Sequence, residues 1–238
     1  MADAPAPAEG EDRTFLKYTF YAVESEWRRL SADLKKRQKS EFVALVHDLG
    51  DEFALGCYSL QGTRADADFM IWAIDPALET FREMARQISS TELGHYLKTT
   101  FSFLGATKRS PYLGGHSHEG QESLLKGPLL RESRYLFVYP LVKKREWYAI
   151  PFEQRQTIMR DHFRVGHKYP SVQIHTAYSF GLDDQEFILA FESDEPLDFL
   201  DLVMELRSTE ASKYTERETP IFTCLRSTPE QMLDALGT

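Results

Sequence analysis

Cysteine is scarce. With only Cys57 and Cys224 in 238 residues, the chain can be neither a disulfide-dense secreted scaffold nor a thiolate metal cluster. Both lie in strand-like, largely uncharged stretches, so reduced core thiols are expected. There is no positively charged leader followed by an apolar run, and no apolar stretch long enough to cross a bilayer. A cytoplasmic protein without a membrane partner is the expectation. Positive charge is also in deficit: 28 Lys and Arg against 37 Asp and Glu give a net charge of -9. That balance argues against nucleic acid as the main partner, though it leaves room for a local basic pocket. What is present is 42% hydrophobic content, enough for one large domain or two small ones around a continuous core.

Residues 1–12, MADAPAPAEGED, have no hydrophobic period and are expected to form a disordered tail. Residues 13–106 read as a first half: strand 15–23, helix 24–49, strands 53–60 and 67–74, helix 76–87 and strand 99–105. Residues 133–238 repeat that order: strand 134–141, helix 151–165, strands 171–180 and 185–191, helix 196–207, strand 220–225 and a short last helix, 229–236. Between them, 107–132 is rich in Gly, Ser, Pro and charge, a length that points to a lid or active-site loop.

The repetition extends to residues. A shift of 118 lays Asp66, Asp68 and Phe69 on Asp184, Glu186 and Phe187, and Phe81 on Phe199. The same shift lays Ser90, Thr91, Glu92 and Tyr96 on Ser208, Thr209, Glu210 and Tyr214. The expected fold class is therefore α+β: two fused ferredoxin-like units, each an antiparallel sheet with helices on one face. A ligand pocket between sheet and helices of one half follows naturally.

Within the second half, Ile158, Met159, His162 and Phe163 share a helical face, which aims an imidazole at a core or pocket. Such a histidine is either a metal ligand or general base, or a buried group satisfied by a neighbour. Tyr135, Phe137 and Tyr139 alternate on one strand face, where packing is the plain reading. Lys143 and Lys144 read as a solvated pair, and Arg207 as a residue capping or pairing at its helix end. His116 and His118, two apart in a glycine-rich segment, read as exposed unless a ligand meets them.

Three stretches carry a resemblance: YPLVKKREWYAIPFEQRQTIMRDHFRVGHKY, SFGLDDQEFILAFESDEP and MELRSTEASKY. Together they resemble the chlorite dismutase-like superfamily, and more closely its haem-biosynthetic branch, the coprohaem decarboxylases, over roughly residues 15–232. The resemblance implies a dimeric α+β barrel of the chlorite dismutase-like type, usually in homopentamers, with the C-terminal half holding the iron porphyrin. It makes His162 the iron ligand. The acidic partner of that ligand in chlorite-degrading relatives falls on Ala211. Their distal arginine falls on Ile174 when aligned from GLDD, or on His175 when counted from His162. The GLDD register is preferred because a loop near Pro170 absorbs a deletion more easily than a strand.

The same resemblance makes Tyr139 the residue whose radical attacks a porphyrin propionate. It places Lys143 and Trp147 near the porphyrin, and Arg207 and Ser212 at positions for propionate binding or pocket shape. The linker supplies a distal histidine, His118 with His116 as its rival, that would accept a proton from hydrogen peroxide. The implied function is peroxide-dependent conversion of Fe-coproporphyrin III (coprohaem) to haem b through a three-propionate intermediate, with coproporphyrin ferrochelatase as a transient partner. The alternatives are a chlorite dismutase or haem peroxidase, disfavoured by Ile174 and Ala211, and a non-enzymatic haem-binding or haem-transfer protein.

Overall fold

The structure is a computed structural model that describes residues 13–112 and 133–237. In chain order its first elements are β1 (Phe15–Val23), α1 (Ser25–Arg28), α2 (Ala32–Glu52), β2 (Ala54–Ser59), β3 (Phe69–Asp75), α3 (Leu78–Ser90) and β4 (Leu97–Ala106). After the linker come β5 (Tyr135–Lys143), α4 (Arg145–Ala149), α5 (Phe152–Gly166), β6 (Gln173–Tyr178), β7 (Phe187–Ser193), α6 (Pro196–Arg207), β8 (Thr215–Arg217), β9 (Phe222–Ser227) and α7 (Pro229–Asp234). Among the described residues, no helix is long and apolar enough to cross a membrane.

The chain divides into two compact units. One comprises Thr14–Leu104 with Phe222–Thr238. Its strands run β4-β1-β3-β2-β9. β1 and β3 pair antiparallel with Tyr18 opposite Trp72, and these rings stack at 5.1 Å. Alternation sends Tyr21, Phe69, Ile71 and Ala73 to the helix side, where Phe42 and Val46 of α2, Phe81 and Met84 of α3 and Met232 and Leu233 of α7 complete a buried core. Cys57 and Cys224 are buried and unlinked in this unit.

The other unit centres on Gly105–Ile221, with strands in the order β6-β7-β5-β8. β5 and β7 pair along their length, Tyr139 opposite Leu189, and β7 pairs with β6, Ile174 opposite Phe191. Gly105 lets backbone approach closely here: a Cβ on it would lie 2.9 Å from Ala177 Cβ. α5 and α6 lie against each other, and Phe137, Phe191 and Phe199 pack between β5, β7 and α6. α5 opens with Glu153 and closes with Arg164, each charge at the end of the helix dipole that favours it.

The expected dimeric α+β barrel of two ferredoxin-like halves is corrected on two counts. β9 and α7, last in the sequence, belong with the first half: β9 pairs antiparallel with β2, Cys57 opposite Ser227. Without β9, β2 would present an unpaired backbone edge. Each unit's sheet is moreover an open run of strands, and one chain supplies both, so the fold is α+β without a dimeric barrel. The single helix expected over 24–49 is also split: Ser31 leaves helical backbone and its hydroxyl accepts the Leu34 N–H, starting α2 afresh.

The internal repeat nevertheless holds at the level of hydrogen bonds. Glu24 N–H donates to Tyr96 O in one unit, and Lys144 N–H donates to Tyr214 O in the other. Asp68 accepts from the Val23 N–H, and Glu186 accepts from the Lys143 N–H. From β1 to the start of α2 the offset is 120, pairing Trp27 with Trp147 and the N-caps Ser31 and Pro151; from β3 onward it is 118. In the α2 register Phe42 therefore corresponds to His162.

Candidate functional site

A cavity of about 270 Å³ opens within the second unit, between the β5–β7–β6 face and helices α5 and α6. Strand alternation delivers its sheet wall: Tyr139 and Leu141 from β5, Phe187, Leu189 and Phe191 from β7, and Ile174, Thr176 and Tyr178 from β6. Helix α5 adds Met159, His162, Phe163 and Gly166, and α6 adds Val203, Leu206 and Arg207. The remainder comes from Trp147 on α4, the turn holding Ala211 and Ser212, Thr215, Glu218 and the segment from Lys108 to Tyr112.

His162 keeps some exposure where it lines the cavity, yet its Nδ1 is fully buried and has no hydrogen-bond partner among the described residues. Burial, reinforced by the nearby Lys143 charge, lowers its pKa from 6.5 to about 4, so the imidazole is neutral at pH 7. A neutral, buried imidazole is a competent metal donor. Among the described residues no group of three or more His, Cys, Asp or Glu could hold a metal, and His162 is the one histidine of the described cavity lining.

Lys143 ends β5 with its Nζ 3.0 Å from Ala211 O, 3.3 Å from Thr215 Oγ1 and 5.2 Å from the centre of the Trp147 ring. Burial pushes its pKa down to about 8, against the opposing pull of Glu218 and Glu186. Tyr139 stacks on Phe191 at 5.7 Å. Its phenol is driven well above the ordinary range by burial first and by Glu218 second, with Arg207 acting in the opposite sense. Arg207, the last residue of α6, forms an ion pair with Glu218. The cavity is thus aromatic and aliphatic on its walls, and its described lining carries four cations (Lys108, Arg109, Lys143, Arg207) and one carboxylate, Glu218.

Seven residues singled out from sequence meet at this one cavity: Tyr139, Lys143, Trp147, His162, Ile174, Arg207 and Ser212. His175 does not line it. It points to the opposite sheet face, buried, with Nε2 2.8 Å from Glu192 Oε2. His118 and its rival His116 lie outside the described residues. Lys144 is exposed, whereas its neighbour Lys143 turns inward. Sequence reasoning missed Glu218, Thr215 and the Lys108–Arg109 pair. Glu218 sits in the charged run TERET, which carries no periodic signal.

The family model for chlorite dismutase matches residues 35–227, most of the chain. The chain belongs to the chlorite dismutase family. A family relative from Mycolicibacterium smegmatis, a coproheme decarboxylase, is 33% identical over 185 residues, covering 76% of each chain. Among solved structures, a mutant chlorite dismutase from Candidatus Nitrospira defluvii aligns with TM-score 0.85 at 23% identity, over 94% of this chain and 96% of that one. A heme-binding protein from Thermus thermophilus aligns with TM-score 0.82 at 22% identity, over 94% and 95%. At those identities the two structures share the fold with this member of the chlorite dismutase family.

Proposed function

We propose that this protein is a hydrogen peroxide-dependent decarboxylase that converts Fe-coproporphyrin III to haem b by way of a three-propionate intermediate. The observation that carries the reading is the meeting of Tyr139, neutral His162 and four cationic side chains at one apolar cavity. An iron porphyrin suits those residues: a flat apolar macrocycle for the aromatic walls, one free imidazole for the metal, and cations for the carboxylates. The coproheme decarboxylase relative supports the same choice.

When bound, the iron porphyrin would supply the redox centre at which peroxide is reduced. His162 would hold the metal, and among the described residues its Nδ1 has no anionic acceptor that would strengthen the imidazole's donation. Lys143 and Arg207 would hold substrate carboxylates and fix which propionate faces Tyr139. Tyr139 would give up one electron and its phenolic proton, then take a hydrogen atom from the propionate β-carbon. Per propionate, one peroxide and one proton are consumed; carbon dioxide and two waters leave, and a vinyl group remains. The linker histidines His118 and His116 would serve the peroxide proton on this reading. A homopentamer as the assembly belongs to this proposal through the family resemblance, and Leu197, Leu200 and Met204 form an exposed apolar stripe on α6 that a subunit contact could cover. Coproporphyrin ferrochelatase as donor of the substrate, and a cytoplasmic location, belong to the same proposal.

The description of the family model and the solved chlorite dismutase relatives favour a second, coarser reading: a haem-dependent oxidoreductase acting on chlorite or peroxide. A haem-binding protein without chemistry on the propionates is a third, of the kind represented by the Thermus relative. One experiment separates them. Purified protein is loaded with ferric coproporphyrin III and titrated with peroxide, with products resolved by mass, and oxygen release from chlorite is measured in parallel. Two successive losses of carbon dioxide and hydrogen support the decarboxylase. Oxygen from chlorite without mass loss supports the second reading, and tight binding without either reaction supports the third.

A further inference from the structure

Glu218 is the one carboxylate among the described residues that line the cavity, and it is bound to Arg207. The side chain of Glu218 is 19% exposed and that of Arg207 53%, so the acid is the more deeply set partner. Its charge also reaches two further functional groups, raising the pKa of both Tyr139 and Lys143. An anion so placed opposes the binding of a polycarboxylate. Any ligand carboxylate that approaches Arg207 must displace Glu218 or share the guanidinium with it at close like-charge range.

We propose that Glu218 is a specificity-determining residue that competes with ligand carboxylates for Arg207 and so narrows the preference of the cavity for four carboxylates over two. This rests on the porphyrin reading above, in which the reacting propionate lies beside Tyr139 and therefore beside the Arg207–Glu218 pair. A substrate carboxylate there meets both the attraction of Arg207 and the repulsion of Glu218. Once that group has become vinyl, neither acts on it, and Arg207 returns to Glu218. The pair thus caps the affinity for substrate and leaves Arg207 neutralised when product is in place.

The test is equilibrium binding of ferric coproporphyrin III, with four carboxylates, and ferric protoporphyrin IX, with two, to the wild-type chain, Glu218→Gln, Glu218→Asp and Arg207→Gln. Glutamine keeps the shape and can still accept from Arg207, so a purely structural role would leave affinities unchanged. The expected result is that Glu218→Gln tightens the tetracarboxylate by about tenfold and the dicarboxylate by less than about twofold. The gain shrinks at high salt, as screening requires. Glu218→Asp restores wild-type selectivity, and Arg207→Gln weakens the tetracarboxylate alone. Equal changes for both porphyrins, or none, overturn the proposal for Glu218 while leaving the porphyrin reading intact. Failure of the wild-type chain to bind either porphyrin overturns that reading and this proposal with it.

Discussion

Phe42 and His162 hold equivalent positions in the two units, eleven residues past the N-caps Ser31 and Pro151. Phe42 is buried and packs edge-on against Phe69 with centroids 6.1 Å apart, closing the core of its unit. In the other unit His162 and Phe187, the counterparts of these two, line the cavity. The phenylalanine sits in a buried apolar cluster, whereas the histidine lines a cavity. His162→Phe removes the imidazole that would hold the metal and is therefore expected to abolish iron-porphyrin binding. It also changes the pH response. Because burial holds His162 near 4 against 6.5 when unfolded, the unfolded chain binds a proton that the native chain refuses between those values. Wild-type stability falls as pH drops through 6.5 to 4, by on the order of 3 kcal/mol from this group. Denaturant melts across that window should show His162→Phe lacking this component; parallel curves for the two proteins would refute it.

Tyr139 separates chemistry from binding. Its ring packs on Phe191, it lines the cavity together with Arg207 and Glu218, and both charges act on its phenol. Tyr139→Phe keeps the ring contact and removes the group that gives up a proton and an electron. Ferric coproporphyrin III affinity should stay within about threefold of wild type, while vinyl formation falls by at least about a thousandfold. Mass-resolved turnover with peroxide checks the second value and spectral titration the first. Undiminished product formation would remove Tyr139 from the reaction.

The element order was legible in the sequence because hydrophobic period and turn residues are local signals, and the 118-residue shift exposed the repeat from β3 onward. The 120-residue offset in β1 and α2 was not legible, since few identical pairs beyond Trp27 and Trp147 mark it. Without that offset the equivalence of Phe42 and His162 stayed hidden. The placement of β9 beside β2 was equally hidden, because a strand's partner is set by which edge is left unpaired, and no local pattern records that. At the site, the apolar helical face of His162 pointed to a core or pocket, whereas Tyr139 and Ile174 were reached only through the family resemblance, pattern alone reading Tyr139 as packing. Glu218 could not be assigned to the site, because its role comes from a partner eleven positions back on a different element, Arg207.

The fold itself offers a test at Gln38. Trp27 Nε1 donates to the buried Gln38 Oε1 at 2.8 Å, and the Gln38 amide reaches Glu92 at 3.3 Å. Gln38→Leu keeps the volume near that of glutamine and strands the indole N–H in the core. The expected cost is about 1–3 kcal/mol in urea unfolding, with an unchanged m-value. The equivalent position in the second unit is Ile158, buried against Trp147, so an apolar residue is sterically acceptable at this register. A neutral effect would mean that the indole finds another acceptor.

Lys143 sets the pH range for ligand binding. Its pKa of about 8 against 10.5 unfolded means that the native chain releases this proton more readily than the unfolded chain does. Between pH 8 and 10.5 the unfolded state binds more protons, so this lysine makes the empty fold more stable as pH rises through that window. Ligand binding responds with the opposite sign. A carboxylate pairs with the ammonium form, and its charge would raise the pKa of Lys143 in the complex, so binding takes up a proton above pH 8. Affinity for ferric coproporphyrin III should be level from pH 6.5 to 7.5 and then fall by up to about tenfold per pH unit beyond 8. Lys143→Arg keeps its charge throughout, so its profile should stay flat to pH 9.5 even if its affinity is lower, because a guanidinium does not reproduce the point contacts to Ala211 O and Thr215 Oγ1. Titrations at constant ionic strength decide between them. A decline of the same steepness in both proteins would assign the proton to another group and leave Lys143 as a packing residue over Trp147.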